Sequence, residues 1–154
     1  MLLPRSFRLR RMVSWLLRLV AAAALALDSY VHADLAMRYD PNQNATISQG
    51  DLFRVEAGVA AFAALLIVVV GSRIAWALAF VVAASALGAV MLYRYNDVGV
   101  LGPLPDMYEP SWYSEKLLGA YAEAVAVVAT VAGFLTTRIR KSHPAPVAGE
   151  LVGS

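Results

Sequence analysis

Four stretches of the chain are apolar over a length that suits a bilayer, with polar segments between them: residues 17–37, 52–70, 74–93 and 117–135. A lipid hydrocarbon core is about 30 Å thick and takes roughly 20 helical residues to cross. Inside it every backbone N–H and C=O must be bonded within the chain. The stretches are therefore expected to be helices, even where a Val-rich run such as 65–70 would favour a strand in water. The third stretch contains no charge at all.

The connections differ in length. Only Gly71-Ser72-Arg73 separates the second stretch from the third, which forces a tight antiparallel hairpin. The segment 38–51 is polar and holds Pro41 and Gly50, and 96–116 holds Gly99, Gly102, Pro103, Pro105 and Pro110. Both read as turns and irregular loop. The expected fold class is all-α: an antiparallel four-helix transmembrane bundle, spanning 17–135, with two long extracytoplasmic loops. A basic cytoplasmic segment, 1–16, precedes it, and a tail, 136–154, is expected to be disordered.

Composition sharpens this picture. Of the 154 residues 60 % are apolar and 16 % charged, against about 25 % charged in a soluble domain. A water-soluble enzyme, a disordered chain and a fibrous protein are excluded. The absence of cysteine removes disulfides, thiol redox chemistry, thiolate zinc sites and iron–sulfur clusters. It also removes the four-span quinone-linked thiol oxidoreductases. A net charge of +2 gives no reason to expect a nucleic-acid partner. The lipid bilayer is the partner this surface suits, with other membrane proteins or a second copy as further ones.

Charge distribution sets the orientation, because basic residues near span ends stay in the cytoplasm. Arg5, Arg8, Arg10, Arg11 and Arg18 open the chain, Arg73 lies in the short turn, and Arg138, Arg140 and Lys141 follow the last span. Only Arg38, Arg54, Arg94 and Lys116 fall on the other side. Both termini are expected in the cytoplasm, both long loops outside, and the protein in the plasma (inner) membrane. Trp15 and Trp76 would then mark the inner interface, and Tyr95, Tyr108, Trp112 and Tyr113 the outer one. The N-terminus also has the shape of a signal peptide, with small residues for cleavage near Ala24 or Ala33. Arg18 interrupts its core, and the apolar run continues to Met37, so a retained span is the reading adopted.

Chemistry concentrates in four residues. Asp28, His32, Glu56 and Glu123 sit inside the predicted spans, where a charge costs about 2.5–3.5 kcal/mol on insertion scales. At a rise of ~1.5 Å per residue, His32, Glu56 and Glu123 fall within about 3 Å of one height in the outer leaflet. Asp28 lies one turn deeper and on the same face as His32. Such a layer could hold a proton, a metal ion or a small polar ligand. It could also be a paired cluster that fixes helix packing, with Arg54 or Arg94 neutralising the glutamates. A single histidine is a weak start for a metal site, so the metal is left unassigned. Bis-His haem is excluded because His143 lies in the tail on the opposite side.

Other signals are plainer. Asp51 and Glu115 open helices and offset the helix dipole. The stretch from Gly102 to Trp112, rich in Pro and aromatics, reads as an interfacial loop that caps the bundle, with a lid over the polar layer or a docking surface for a partner as alternatives. Small residues four apart (Ala84 and Gly88, Ser85 and Ala89, Ala129 and Gly133) allow close helix approach. Asn44-Ala45-Thr46 matches a glycosylation pattern that is frequent by chance. No phosphate-binding glycine loop, serine elbow or paired-His zinc motif is present, so no catalytic residue is assigned and enzymatic activity is not expected. The sequence suits an accessory or structural subunit of a membrane complex. The alternative is a small transporter or redox membrane protein that uses the polar layer.

The runs ISQGDLFRVEAG (47–58) and AASALGAVMLYRYNDVGVLGPLPDMYEPSWYSEKLLGAYAE (83–123) resemble small four-span membrane proteins encoded in actinobacterial genomes. The resemblance covers roughly 25–135 and implies architecture rather than an activity. In size and span count the chain is also similar to DoxX-like membrane proteins.

The orientation is testable by reporter fusion. A fusion at Ser154 is expected to report cytoplasm and one at Asp106 the outside; an external signal from Ser154 would overturn the threading.

Overall fold

The computed structural model describes residues 5–137. The expected disordered tail, with Arg138, Arg140, Lys141 and His143, lies outside the described residues beyond Thr137, as do residues 1–4 of the basic segment. Four helices carry the chain: α1 (Arg5–Tyr39), α2 (Gln49–Val69), α3 (Arg73–Tyr95) and α4 (Ser114–Thr136). Each is long and apolar enough to cross a membrane, and the protein is a multi-pass membrane protein.

The first helix starts twelve residues before the expected span, at Arg5 rather than 17. Charge keeps this segment out of lipid, but charge does not end a helix. Arg, Leu and Met are good helix formers, and extending a helix already nucleated in the membrane is easier than starting one. The other boundaries move by a few residues for local reasons. Ser48 caps α2 by accepting from the Asp51 N–H at 3.0 Å, which brings the start back to Gln49. Ser72 caps α3 in the same way, accepting from the Ala75 N–H at 3.2 Å.

The helices form an up-and-down ring in which α1 packs on α2 and α4, and α3 completes the circle between them. The bundle thus has a turn end, where residues 70–72 join α2 to α3, and a loop end, where the two long connections lie. Gly71 makes the turn with φ +56, a left-handed conformation that glycine adopts freely.

The turn-end half is close-packed. Its core is a set of alanines from all four helices, Ala21, Ala24, Ala60, Ala63, Ala79, Ala83, Ala126 and Ala129, with Leu25, Ile67 and Trp76 filling the space between. Larger residues such as Phe62, Val81, Val128 and Leu135 face outward. This is the arrangement lipid favours: the solvent is as apolar as leucine, so small residues win the interior by allowing backbones to approach.

Trp76 corrects an expectation. It does not turn its ring outward as an interface anchor would but is 1 % exposed in the core. The reason is Gly133 of α4, where an added Cβ would meet the six-membered ring of Trp76. The glycine opens the slot that the indole fills, and only Trp15 of the pair stays at the surface.

Gly133→Ala is therefore expected to destabilise by about 1–3 kcal/mol through overpacking, more than the roughly 1 kcal/mol that alanine gains over glycine in a helix. Gly88→Ala, where an added Cβ meets open space, should be neutral or stabilising. Thermal unfolding in mild detergent compares the two, and equal melting temperatures would contradict this packing account.

Candidate functional site

On α1 the buried residues recur at helical spacing: Ala21, Ala24, Leu25, Asp28, Val31, His32, Leu35 and Ala36. Asp28 and His32 belong to this stripe, so the helix that buries its alanines also buries them. On α4 the buried stripe runs through Ala120, Glu123, Ala126, Ala129 and Thr130. Glu123 replaces an alanine in register and points to the same interior. Asp28 and Glu123 are 0 % exposed and His32 is 8 % exposed.

One ligand atom from each of Asp28, His32 and Glu123 lies within 4.8 Å of the others. His32 Nδ1 stands 3.0 Å from Asp28 Oδ1 and 3.1 Å from the Asp28 carbonyl oxygen. The hydrogen-bond geometry is met at the carbonyl, and the Asp28 carboxylate stands within ion-pair distance of the same ring nitrogen. Both oxygens of Asp28 and both of Glu123 are buried without a hydrogen-bond partner, and so is Glu56 Oε1. Glu56, on α2, is half-buried beside the trio. The height argument groups His32, Glu56 and Glu123 with Asp28 below; the structure closes Asp28, His32 and Glu123 together instead, with Glu56 at their side. Side-chain direction, not height, decides: Asp28 and His32 leave α1 on one face and bridge the one-turn difference between them.

The proposed charge partners are a correction. Arg54 does not reach a buried glutamate; it grips Asp40 with two bonds of 2.7 and 2.6 Å and also contacts Asp51 at 3.1 Å. It sits in the first turns of α2, where the exposed acids of the loop end are nearer and need no desolvation. Arg94 stacks over the rings of Tyr95 and Trp112, at 5.1 and 5.5 Å from their centroids. The buried carboxylates are left without either arginine.

Above the trio the bundle opens. A cavity of about 590 Å³, partly open to the outside, occupies the loop-end half. Its walls are mostly apolar, among them Leu35, Phe53, Val90, Tyr93 and Met107, while His32, Glu56 and Glu123 form its polar floor. From His32 a line of aromatics climbs to the rim: Phe53 at 5.2 Å, then Tyr39 at 5.1 Å, whose hydroxyl bonds that of Tyr113 at 2.8 Å. Burial and this bond raise the Tyr113 pKa above the usual phenol range.

The two long connections interlock over this space. The Ile47 N–H donates to Pro103 O, the Asn42 side-chain amide donates to Asp106 O and to Gln49 Oε1, and the Asp106 N–H donates to Asn44 Oδ1. Leu101 and Leu104 pair across a turn made at Gly102, with φ +59. The 102–112 segment is thus a cap over the cavity, tied down by the first loop. For Asn42, Tyr39 and Tyr113 the sequence offers only the signal of a polar or aromatic residue at a span end, which is common without such a role.

No protein-family model, no curated protein and no solved structure matches this chain.

The cap carries a pH dependence. The Arg54 guanidinium holds the Asp40 carboxyl below the usual carboxylate range. A depressed folded pKa stabilises above the unfolded value, about 3.9 for Asp, and that contribution is lost as pH falls through the folded value. The NMR signals of the Asn42 and Asn44 side-chain amides are expected to be constant from about pH 8 to 5 and to move only below the ordinary Asp range. Asp40→Asn should abolish that low-pH step; a step that persists in the variant would assign it elsewhere.

Proposed function

We propose that this membrane protein takes a small ligand into the loop-end half of its bundle, as a small transporter or redox membrane protein does. The ligand chemistry that fits is an apolar body with a cationic or hydrogen-bond-donating head. The observation that carries the reading is the cavity of about 590 Å³, with apolar walls that end on a floor of buried carboxylates. A purely structural polar cluster is expected to be satisfied, because an unpaired buried polar atom costs about 1–3 kcal/mol and more when charged. Here Glu56 Oε1 and both oxygens of Glu123, two residues that line the cavity, have no hydrogen-bond partner, and an incoming head group would supply one.

The basic residues support a direction of access. Arg18 donates to Gly71 O at 3.4 Å and Arg73 to Thr137 O at 3.1 Å, so both lie at the turn end, with the basic start of α1. Outside the buried layer, the acidic side chains of the described residues lie at the loop end. By the positive-inside rule the turn end is cytoplasmic and the cavity opens in the outer leaflet of the cell membrane.

A second reading has its own support. Ser85, Gly88 and Ala89 form an exposed small-residue stripe on α3, with Ser85 and Ala89 at the edge of the cavity, a surface on which another helix could pack closely. An accessory subunit of a larger complex would use it.

A dansyl-labelled alkylamine, titrated onto the protein in nanodiscs, tests the first reading. Saturable binding is expected, weakened at least tenfold by Glu56→Gln, which removes the charge of the half-buried acid and keeps its shape. The matching alcohol should bind less well than the amine. Absence of saturable binding, or equal binding by the variant, would leave the accessory-subunit reading in front.

A further inference from the structure

The floor of the cavity has a deeper level than the ligand's head group needs. Asp28 and Glu123 come from different helices and are wholly buried, and none of their four carboxylate oxygens has a hydrogen-bond partner. Two facing carboxylates in an apolar interior repel each other and call for something positive between them. A shared proton would answer that need between the two acids, and His32 Nδ1 stands 3.0 Å from Asp28 Oδ1. His32 brings an imidazole into the same group, with one donor atom from each of the three within 4.8 Å of the others.

We propose that Asp28, His32 and Glu123 form a binding site for a divalent first-row transition metal. The inference rests on the cavity reading above and adds its resident cation. Zinc binds imidazole and carboxylate at about 2.0–2.2 Å, so donors around one ion stand roughly 3–4 Å apart, and the observed trio needs only a small contraction. One imidazole with two carboxylates suits zinc, manganese or iron(II). Copper(I) would ask for sulfur, and the trio itself offers none.

The local construction has the features of a ligand set. Asp28 and His32 are four residues apart on one helix face, and Glu123 projects from a facing helix, which is how helix bundles assemble metal sites in their cores. His32 Nδ1 stands 3.1 Å from the Asp28 carbonyl oxygen. In the tautomer that carries its proton at Nδ1, that bond leaves Nε2 as the free lone pair and fixes the ring, the usual outer support of a metal-bound histidine. Three protein ligands leave coordination positions vacant, and His32 and Glu123 both line the cavity, so an open position would face the ligand space as in catalytic and transport sites. Bound metal also changes the charge of the floor. A divalent ion balances Asp28 and Glu123 and leaves Glu56 as the anion available to a cationic head.

Zinc is the probe for the test. The protein in detergent is stripped with a chelator, reloaded with zinc, desalted and assayed for metal content and thermal stability. One zinc per chain and a rise in melting temperature are expected. Glu123→Gln and Asp28→Asn, each verified as folded and monodisperse, should lower affinity at least tenfold. His143→Ala is the control for binding through the tail and should change nothing. No zinc above background, full retention of zinc in both variants, or loss of zinc on His143→Ala would overturn the proposal. If the two carboxyl variants fail to fold, X-ray absorption at the zinc edge of the native protein decides. One imidazole nitrogen with the remaining donors oxygen supports the site, and a shell of oxygen alone contradicts it. Alkylamine binding measured on the same metal-free protein separates the two readings. A protein that binds the amine but takes up no zinc means the metal inference fails alone; one that binds neither means the cavity reading fails as well.

Discussion

An ionisable side chain in hydrocarbon has to turn toward the protein interior or leave the membrane, and this bundle is arranged around three acids and a histidine that stay. Asp28, His32 and Glu123 occupy positions on the buried stripes of α1 and α4 that alanine takes elsewhere along the same faces. Their inward direction fixes the rotation of both helices. Once those rotations are set, the alanines one and two turns away meet their counterparts on α2 and α3, and the large residues are left to face lipid.

The same constraint divides the bundle into two halves of different character. Toward the turn end, Ala-lined helices close on Leu25, Ile67 and Trp76, and a glycine slot for the indole leaves no free volume at that contact. Toward the loop end, the polar layer replaces small apolar residues, and the aromatics Phe53, Tyr39 and Tyr93 hold space open above it. Interlocked loops then cover that space: the 102–112 segment is held by Asn42, Asn44 and Ile47 of the first connection, while Arg54 clamps the end of α1 to the start of α2 through Asp40. A close-packed half thus carries an open half above the polar layer.

Much of this was legible from the residues. Apolar run lengths fixed four helices, the three-residue turn fixed their first antiparallel pair, and the rise per residue placed the four polar groups near one level. What escaped was set by direction and by neighbours far away in sequence. Trp76 has the composition signal of an interface anchor, and only Gly133, 57 positions on, turns it inward. Arg54 lies two residues from Glu56 yet bonds Asp40, because successive residues leave a helix on different faces and an exposed acid is the less costly partner. The apolar run of α1 stops at the basic segment, whereas helix geometry continues through charge. The interlock of the two loops depends on backbone carbonyls such as Asp106 O and Pro103 O, whose positions no side-chain pattern reports.

The inward rotation of the polar layer is the claim on which the rest stands, and it can be measured without altering any of its members. The chain has no native cysteine, so single cysteines carrying a spin label can be placed beside each charged group. Val31, Ala57 and Ala122 are at most 9 % exposed, whereas their neighbours Tyr30, Val55 and Tyr121 are 63–69 % exposed. In nanodiscs, collision rates with lipid-dissolved oxygen should be high at 30, 55 and 121 and low at 31, 57 and 122. The reverse order on α1 and α4 would place Asp28, His32 and Glu123 toward lipid, and the buried layer, its cavity floor and the proposed site would all be contradicted.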